Sequence, residues 1–368
     1  MHVLHSQAAK PSHSFFIEKR SLTRRRASLL IVQSLIGLGL LAVWALAVDL
    51  SDVWQTLAQA RWPIVIAAAM ISVCSSFVRA ARWRLILRPV ARVPLWEIWL
   101  ITLVSSLVNF VIPVRSGELA RAVLLKQRRR VPMSASLPTV AIDRSFDLLA
   151  VLLLGALGAA IGIRLDPRLT MVLALGGVLM LVFAALVIVA IASGDWAVRL
   201  AERLFPPQLG VALRERSLGV LKGVIAGFTA IGRRPADIFR LLMLSLAASL
   251  LDAAMFYCLF FSLGAILPPS VVITGYAVYV LTFIIPGAPG YIGSAEAFGS
   301  LVFGSLGVAP ALAASTIVLG HALNALFLAI TGGLSIWLLG LKPSETVRSL
   351  SSAKIEEPGL ETENVIGP

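Results

Sequence analysis

The chain has 368 residues, of which 58% are hydrophobic and 14% charged, with a formal net charge of +13. A soluble domain is nearer half apolar and a quarter charged, so the composition excludes an ordinary soluble enzyme and points to a polytopic membrane protein. Most Arg and Lys residues fall in short segments between apolar runs, as the positive-inside rule requires, so no nucleic-acid partner is expected.

Residues 1–27 form a basic tail, with Lys19, Arg20, Arg24, Arg25 and Arg26 ahead of the first apolar run. Ala45-Leu46-Ala47 resembles a signal-peptidase site, but the run over 28–48 is longer than the roughly 7–15 residues of a signal core, so an uncleaved first span is expected. Further apolar runs cover 63–80, 137–163, 169–193, 237–263 and 310–340, giving about six full spans. The segments 94–125 and 270–307 are apolar but interrupted. From 341 to 368 the chain is polar and acidic, a composition that does not fold alone. Cys74 and Cys258 lie singly inside predicted spans, without a disulfide framework or a CxxC pattern, and are expected to be buried, inert thiols.

The first interrupted segment contains NFVIPVRSGELAR, Asn109 to Arg121. Basic residues flank it on both sides, at Arg79–Arg92 and at Arg115–Arg130. Both flanks belong in the cytoplasm by charge, so 94–125 is expected to enter and return as a re-entrant hairpin turning near Pro113–Gly117. Proline ends the incoming helix, glycine lets the backbone turn, and Asn109 and Ser116 can bond the freed backbone groups. The second interrupted segment, IIPGAPGYIGSAEAF, carries Pro289, Gly290, Gly293 and Glu296. Counting spans places it as a hairpin from the opposite face, with loop 194–236 and both termini cytoplasmic. The expected fold is therefore all-α and polytopic, about six spans and two re-entrant hairpins over residues 28–340, forming a weak inverted repeat.

Glu118 and Arg121 share one helix face, and Asp143 and Asp147 share another beside Arg144. Ionisable residues in spans are costly and mark function by default. The alternative is structural, with Arg121 and Arg144 neutralising the carboxylates. Glu296, His321 and Asn324 form a candidate counterpart in the second half, and Asp252 stands mid-span. His321 is the only His outside the N-terminal tail, so no His-based metal site is expected. No P-loop, HExxH or GxSxG pattern occurs, so neither an enzyme nor a cofactor is expected.

Through NFVIPVRSGELAR, VAIDRSFDLLAVLLL, PGAPGYIGSAEAF and the upstream RAARWRLIL, the chain resembles the transmembrane flippase-like domain of lysylphosphatidylglycerol synthetases. The resemblance extends to its stand-alone relatives, which include a hopanoid-biosynthesis-associated membrane protein. It covers roughly residues 28–340 and implies paired re-entrant helices and movement of a lipid between leaflets of the inner membrane. By motif position, the implied translocation residues are Asn109, Pro113, Gly117, Glu118 and Arg121, then Asp143, Arg144 and Asp147, then Pro289, Gly290, Gly293 and Glu296. The chain shows no acyltransferase-like domain, so synthetase activity is not expected. His321 stands where family members often carry arginine.

These readings converge on a lipid flippase or transporter whose groove is lined by polar groups from the two hairpin tips and the third span. The alternative is a membrane scaffold that recruits lipid- or glycan-modifying enzymes.

Overall fold

The computed structural model describes residues 31–112, 116–161, 211–232, 234–283 and 287–341, with scattered positions between 161 and 211. Helix α1 (Ile31–Ala47) turns by 86° into α2 (Leu50–Ala58). Asp49 makes the corner by accepting the backbone N–H groups of Ser51 and Asp52, donors that a helix start otherwise leaves unpaired. Trp54 and Trp62 are exposed beside this corner, as aromatic side chains at a membrane interface are.

The remainder is built as two similar units. The first is α3 (Trp62–Leu87), α4 (Leu95–Val111), α5 (Ser116–Arg129) and α6 (Met133–Ala160). After α7 (Val211–Gly232), the second is α8 (Pro235–Ser262), α9 (Pro269–Thr282), a short turn of 3-10 helix (Pro289–Tyr291), α10 (Ser294–Ser305) and α11 (Pro310–Leu338). Each unit is a long helix, two short helices and a second long helix. The short helices have 17 and 14 residues in the first unit and 14 and 12 in the second. At 1.5 Å per residue each is only about 18–26 Å long, short of the hydrocarbon thickness, whereas the long helices span it.

Helices α3 and α8 pack antiparallel. Arg61 N–H donates to the Ser262 carbonyl at one end (2.9 Å), Ser75 Oγ to the Ala248 carbonyl in the middle, and Arg82 to Ser245 at the other. The corresponding helices of the two units therefore run in opposite directions, so the repeat is inverted. Packing is reciprocal as well: α4 lies on α11, and α9 lies on α6. The expected all-α polytopic architecture and inverted repeat are what the chain forms. Among the described residues α3, α8 and α11 are long and apolar enough to cross a membrane, and α6 has equal length with Asp143, Arg144 and Asp147 on it. The protein is a multi-pass membrane protein.

The first hairpin is closed at both ends. Near its tip, Asn109 Oδ1 accepts the Gly117 N–H at 2.7 Å, and Ser105 Oγ donates to the Gly117 carbonyl at 2.5 Å. At its base, the buried Glu97 on α4 pairs with Arg128 (3.1 Å) and Arg129 on α5. Arg128 also donates to the Leu339 carbonyl at the end of α11 (2.7 Å), where the helix dipole favours a cation. The N-terminus of α4 and the C-termini of α5 and α11 thus share one face.

Two expectations change. The loop expected over 194–236 contains α7, whose Gly223 and Gly227 pack on Pro138 and Ile142 of α6, with Phe228 stacked near Phe146. Its apolar stretch is shorter than a full span, which is why hydropathy alone reads it as a loop. Cys74 faces outward on α3 instead of lying buried. The expected span over 169–193 lies largely outside the described residues, as do the tails 1–27 and 342–368.

Candidate functional site

Two polar centres lie within the helix bundle. The larger joins α3, α5, α6, α8 and α9. Arg82 is wholly buried; its Nε donates to Asp143 Oδ1 and its Nη1 to Asp147 Oδ1, both at 2.8 Å, and Nη1 also reaches Ser245 Oγ at 2.9 Å. Arg121 donates to the other oxygen of Asp143 at 2.7 Å and lies over the Trp83 ring, 4.9 Å from its centre. Arg79 bridges Asp147 and Asp252 (2.5 Å to the latter), and Tyr276 donates its hydroxyl to Asp252 at 3.0 Å. At the open edge, Arg144 pairs with Asp147 at 3.2 Å and with Glu118 at 3.1 Å.

Four guanidinium groups face four carboxylates, so the centre is electrically balanced. Balance is what makes it tolerable, since an unpaired buried charge costs several kcal/mol and a paired one far less. The pairs are graded by exposure. Arg82, Arg121 and Asp143 are sealed, whereas the side chains of Arg144 and Glu118 are 37% and 26% exposed. Donor capacity remains unused in the sealed part: Arg82 Nη2 and Arg121 Nε are buried without a hydrogen-bond partner. Both hairpins are tied in, the first through α5 and the second through Tyr276 on α9.

The second centre is where the hairpin tips meet. His321 on α11 contacts the Gly290 carbonyl through Nε2 (2.7 Å) and Glu296 Oε1 through Nδ1 (2.5 Å). The Phe110 ring, near the tip of the first hairpin, stands edge-on to His321 at 5.9 Å. Glu296 is the third residue of α10, and its Oε2 accepts the Gly293 N–H at 2.7 Å, closing the helix start. Gly290 and Gly293 have φ of +68° and +84°, a region glycine adopts without strain. Beside this centre is a cavity of about 390 Å³, walled by Leu41, Trp44, Val53, Leu57 and Val318, with Glu296 among its lining residues.

The residues expected to line one groove thus fall into two sets. Glu118, Arg121, Asp143, Arg144 and Asp147 come together in the large centre. Glu296, Gly290 and His321 form the smaller one, while Asn324 is exposed and apart from it. The tip glycines do not face open space: a Cβ at Gly117 would collide with the Ser105 carbonyl and Asn109, and one at Gly293 with the Gly37 carbonyl on α1. Their smallness serves helix contact. Pro113 lies outside the described residues, and Pro289 begins the short 3-10 turn. Arg79, Arg82, Asp252 and Tyr276 were not expected at the centre. Arg79 and Arg82 read as part of a basic flank, yet their i,i+3 spacing in RAARWR puts both on one face, which was the available signal.

The two halves align through the glutamates of their hairpins. Ser116-Gly117-Glu118 and Ser294-Ala295-Glu296 each begin the returning helix of a hairpin, so Glu118 and Glu296 are both third residues. Arg144 and His321 are each the twelfth residue of the following long helix. Each glutamate pairs with its own partner, Glu118 with Arg144 and Glu296 with His321.

A curated relative, a protein named glycosyltransferase AglD of Haloferax volcanii, is 29% identical over 348 residues, covering 86% of this chain. The chain spans 55% of that relative's length. No solved structure matches the chain. The family described as the lysylphosphatidylglycerol synthase TM region matches residues 28–332. On that match, the chain belongs to the lysylphosphatidylglycerol synthase transmembrane-region family.

Proposed function

We propose that the protein moves a lipid with an anionic or strongly polar headgroup between membrane leaflets. The observation that carries this reading is the balanced arginine–carboxylate centre tied to both hairpins. Charges at such depth are expensive unless they replace hydration for something that must cross. The spare N–H groups of Arg82 and Arg121 can donate to a phosphate or hydroxyl oxygen that displaces a carboxylate, and guanidinium suits phosphate by its forked geometry. The half-exposed Glu118–Arg144 edge gives the headgroup a place to begin the exchange. The apolar cavity beside Glu296 suits a hydrocarbon chain.

Reconstituted protein tests this through leaflet exchange of fluorescent lipids, read by dithionite quenching. Lysylphosphatidylglycerol, phosphatidylglycerol and a polyprenyl-phosphate sugar are the informative set. Faster exchange of at least one, lost in the Asp143→Asn protein, is the expected result; native exchange equal to protein-free vesicles for all three overturns the reading.

A second reading is favoured by the name of the Haloferax relative. The region shared with it would serve as a membrane platform for a glycan-modifying enzyme. In that case the native chain would bind such an enzyme while leaving leaflet exchange unchanged.

A further inference from the structure

The two glutamate–cation pairs occupy the same place in the two halves of the repeat, but their chemistry differs. In the first half, Glu118 at the start of α5 faces Arg144, a cation at every accessible pH. In the second, Glu296 at the start of α10 faces His321, whose charge can change.

The hydrogen bonds around His321 settle where its protons lie. A carbonyl oxygen only accepts, so Nε2, 2.7 Å from the Gly290 carbonyl, must carry a hydrogen. Nδ1 is 2.5 Å from Glu296 Oε1, and a lone pair facing a carboxylate oxygen at that distance is repulsive, so a proton must lie between them. The pair therefore holds one dissociable proton in this conformation, carried by His321 Nδ1, since imidazole is a stronger base than a carboxylate. That proton makes one of the two bonds between the second hairpin and α11, the one to Glu296 in the first turn of α10; the other, from Nε2 to the Gly290 carbonyl, remains when it leaves. The Oε2–Gly293 bond does not depend on it, so α10 stays capped when it leaves.

We propose that Glu296 and His321 form a proton-binding clasp: release of one proton to water leaves a carboxylate facing an imidazole lone pair, and the tip of the second hairpin, then held by the Gly290 bond alone, opens from α11 more readily. The first hairpin, fastened by Arg144, does not respond. Among the described residues, further titratable groups near the pair are Tyr279 on α9 and Tyr291 on the tip itself. Phe110 on α4, Leu41 and Trp44 on α1 and Val318 on α11 present no charge. One half of an otherwise symmetric bundle thus acquires proton dependence. Resting on the translocation reading, this makes a proton gradient the source of drive in a chain that shows no ATPase motif.

The full chain in nanodiscs, with His2, His5 and His13 changed to Gln, leaves His321 as a single signal for 15N ring spectroscopy. Both ring nitrogens should carry hydrogen near neutral pH, and one should lose it as pH rises. In the same step, thiol labelling at Ala288→Cys, a tip position only 8% exposed, should accelerate about tenfold, the loss expected of one charge-assisted hydrogen bond. The His321→Arg protein bearing the same cysteine corrects for the thiol's own titration and should show no such step. A bare Nδ1 throughout the range of about pH 5–9, or equal corrected labelling across it, overturns the clasp. These two readouts decide it whether or not any lipid moves. Where leaflet exchange is seen, a pH gradient should accelerate it in the native protein and leave His321→Arg unchanged; equal acceleration in both would overturn the coupling alone.

Discussion

Arg82 and Asp143 are joined by a 2.8 Å hydrogen bond, and neither side chain reaches solvent. The pair sits where α3 and α6 meet, with Arg121 on the other oxygen of Asp143. Removing the carboxylate strands the buried Arg121 and leaves Arg82 only its bonds to Asp147 and Ser245. Asp143→Ala should therefore cost about 3–5 kcal/mol of stability. Asp143→Asn keeps one acceptor oxygen and should cost less. Thermal unfolding in detergent measures both, and equal midpoints for native and Asp143→Ala would refute a sealed centre.

Tyr276→Phe removes the hydroxyl that connects Asp252 to the second hairpin while leaving the ring packed on Phe256. The expected loss is about 1.5–3 kcal/mol, that of a hydrogen bond to a charged group, at the lower end because Asp252 is partly exposed. Leaflet exchange should slow with it. Unaltered stability would place Asp252 outside the hairpin's support.

Gly117 tolerates no side chain. Gly117→Leu, and to a smaller degree Gly117→Ala, should reduce the yield of folded protein, since a Cβ there meets the backbone of Ser105, which cannot swing away as a side-chain tip can. Overpacking of this kind costs about 1–3 kcal/mol. Gly293→Ala adds an unfavourable positive φ to its collision with α1. Size-exclusion profiles of the purified variants check this; well-folded Gly117→Leu protein would mean the hairpin is less tightly closed.

The base of the first hairpin predicts topology. Cysteines placed at Arg92 and Arg130 in a background without Cys74 and Cys258 should label from the same membrane side, because Glu97 holds Arg128 and Arg129 against the start of α4. A cysteine replacing Gly340 should label from that side too, through the Arg128–Leu339 contact. Positive charge in both flanks makes the cytoplasmic side the expected one. Labelling of Arg92 and Arg130 positions from opposite sides would remove the hairpin.

Glu97→Gln tests the same base from the inside. The amide keeps its shape but loses the charge that holds two arginines, one of them 42% exposed. Proteolysis between Arg128 and Arg130 should become faster, and more so at high salt, where the remaining exposed contacts are screened. An unchanged cleavage rate would mean that the helices are held by their apolar faces alone.

Sequence alone was enough for the membrane class, the long helices described above and the two breaks, between Val111 and Ser116 and between Thr282 and Ser294. Those features depend on local quantities: hydropathy over a span, the missing donor of proline and the free φ of glycine. The pairing of Glu118, Arg121, Asp143, Arg144 and Asp147 was legible too, because helical spacing and shared cost in lipid draw opposite charges together. What tertiary structure decided was which charges meet across the chain. Arg79 and Arg82 look like interfacial arginines until the antiparallel packing of α3 and α8 turns them toward Asp147, Asp252 and Ser245. Glu296 and His321 are brought together only by the fold of the second hairpin against α11. Contacts between distant segments depend on helix direction and rotation, which hydropathy does not encode; the matched places of Arg144 and His321, and so the difference between a fixed clasp and a proton-sensitive one, emerge only from that packing.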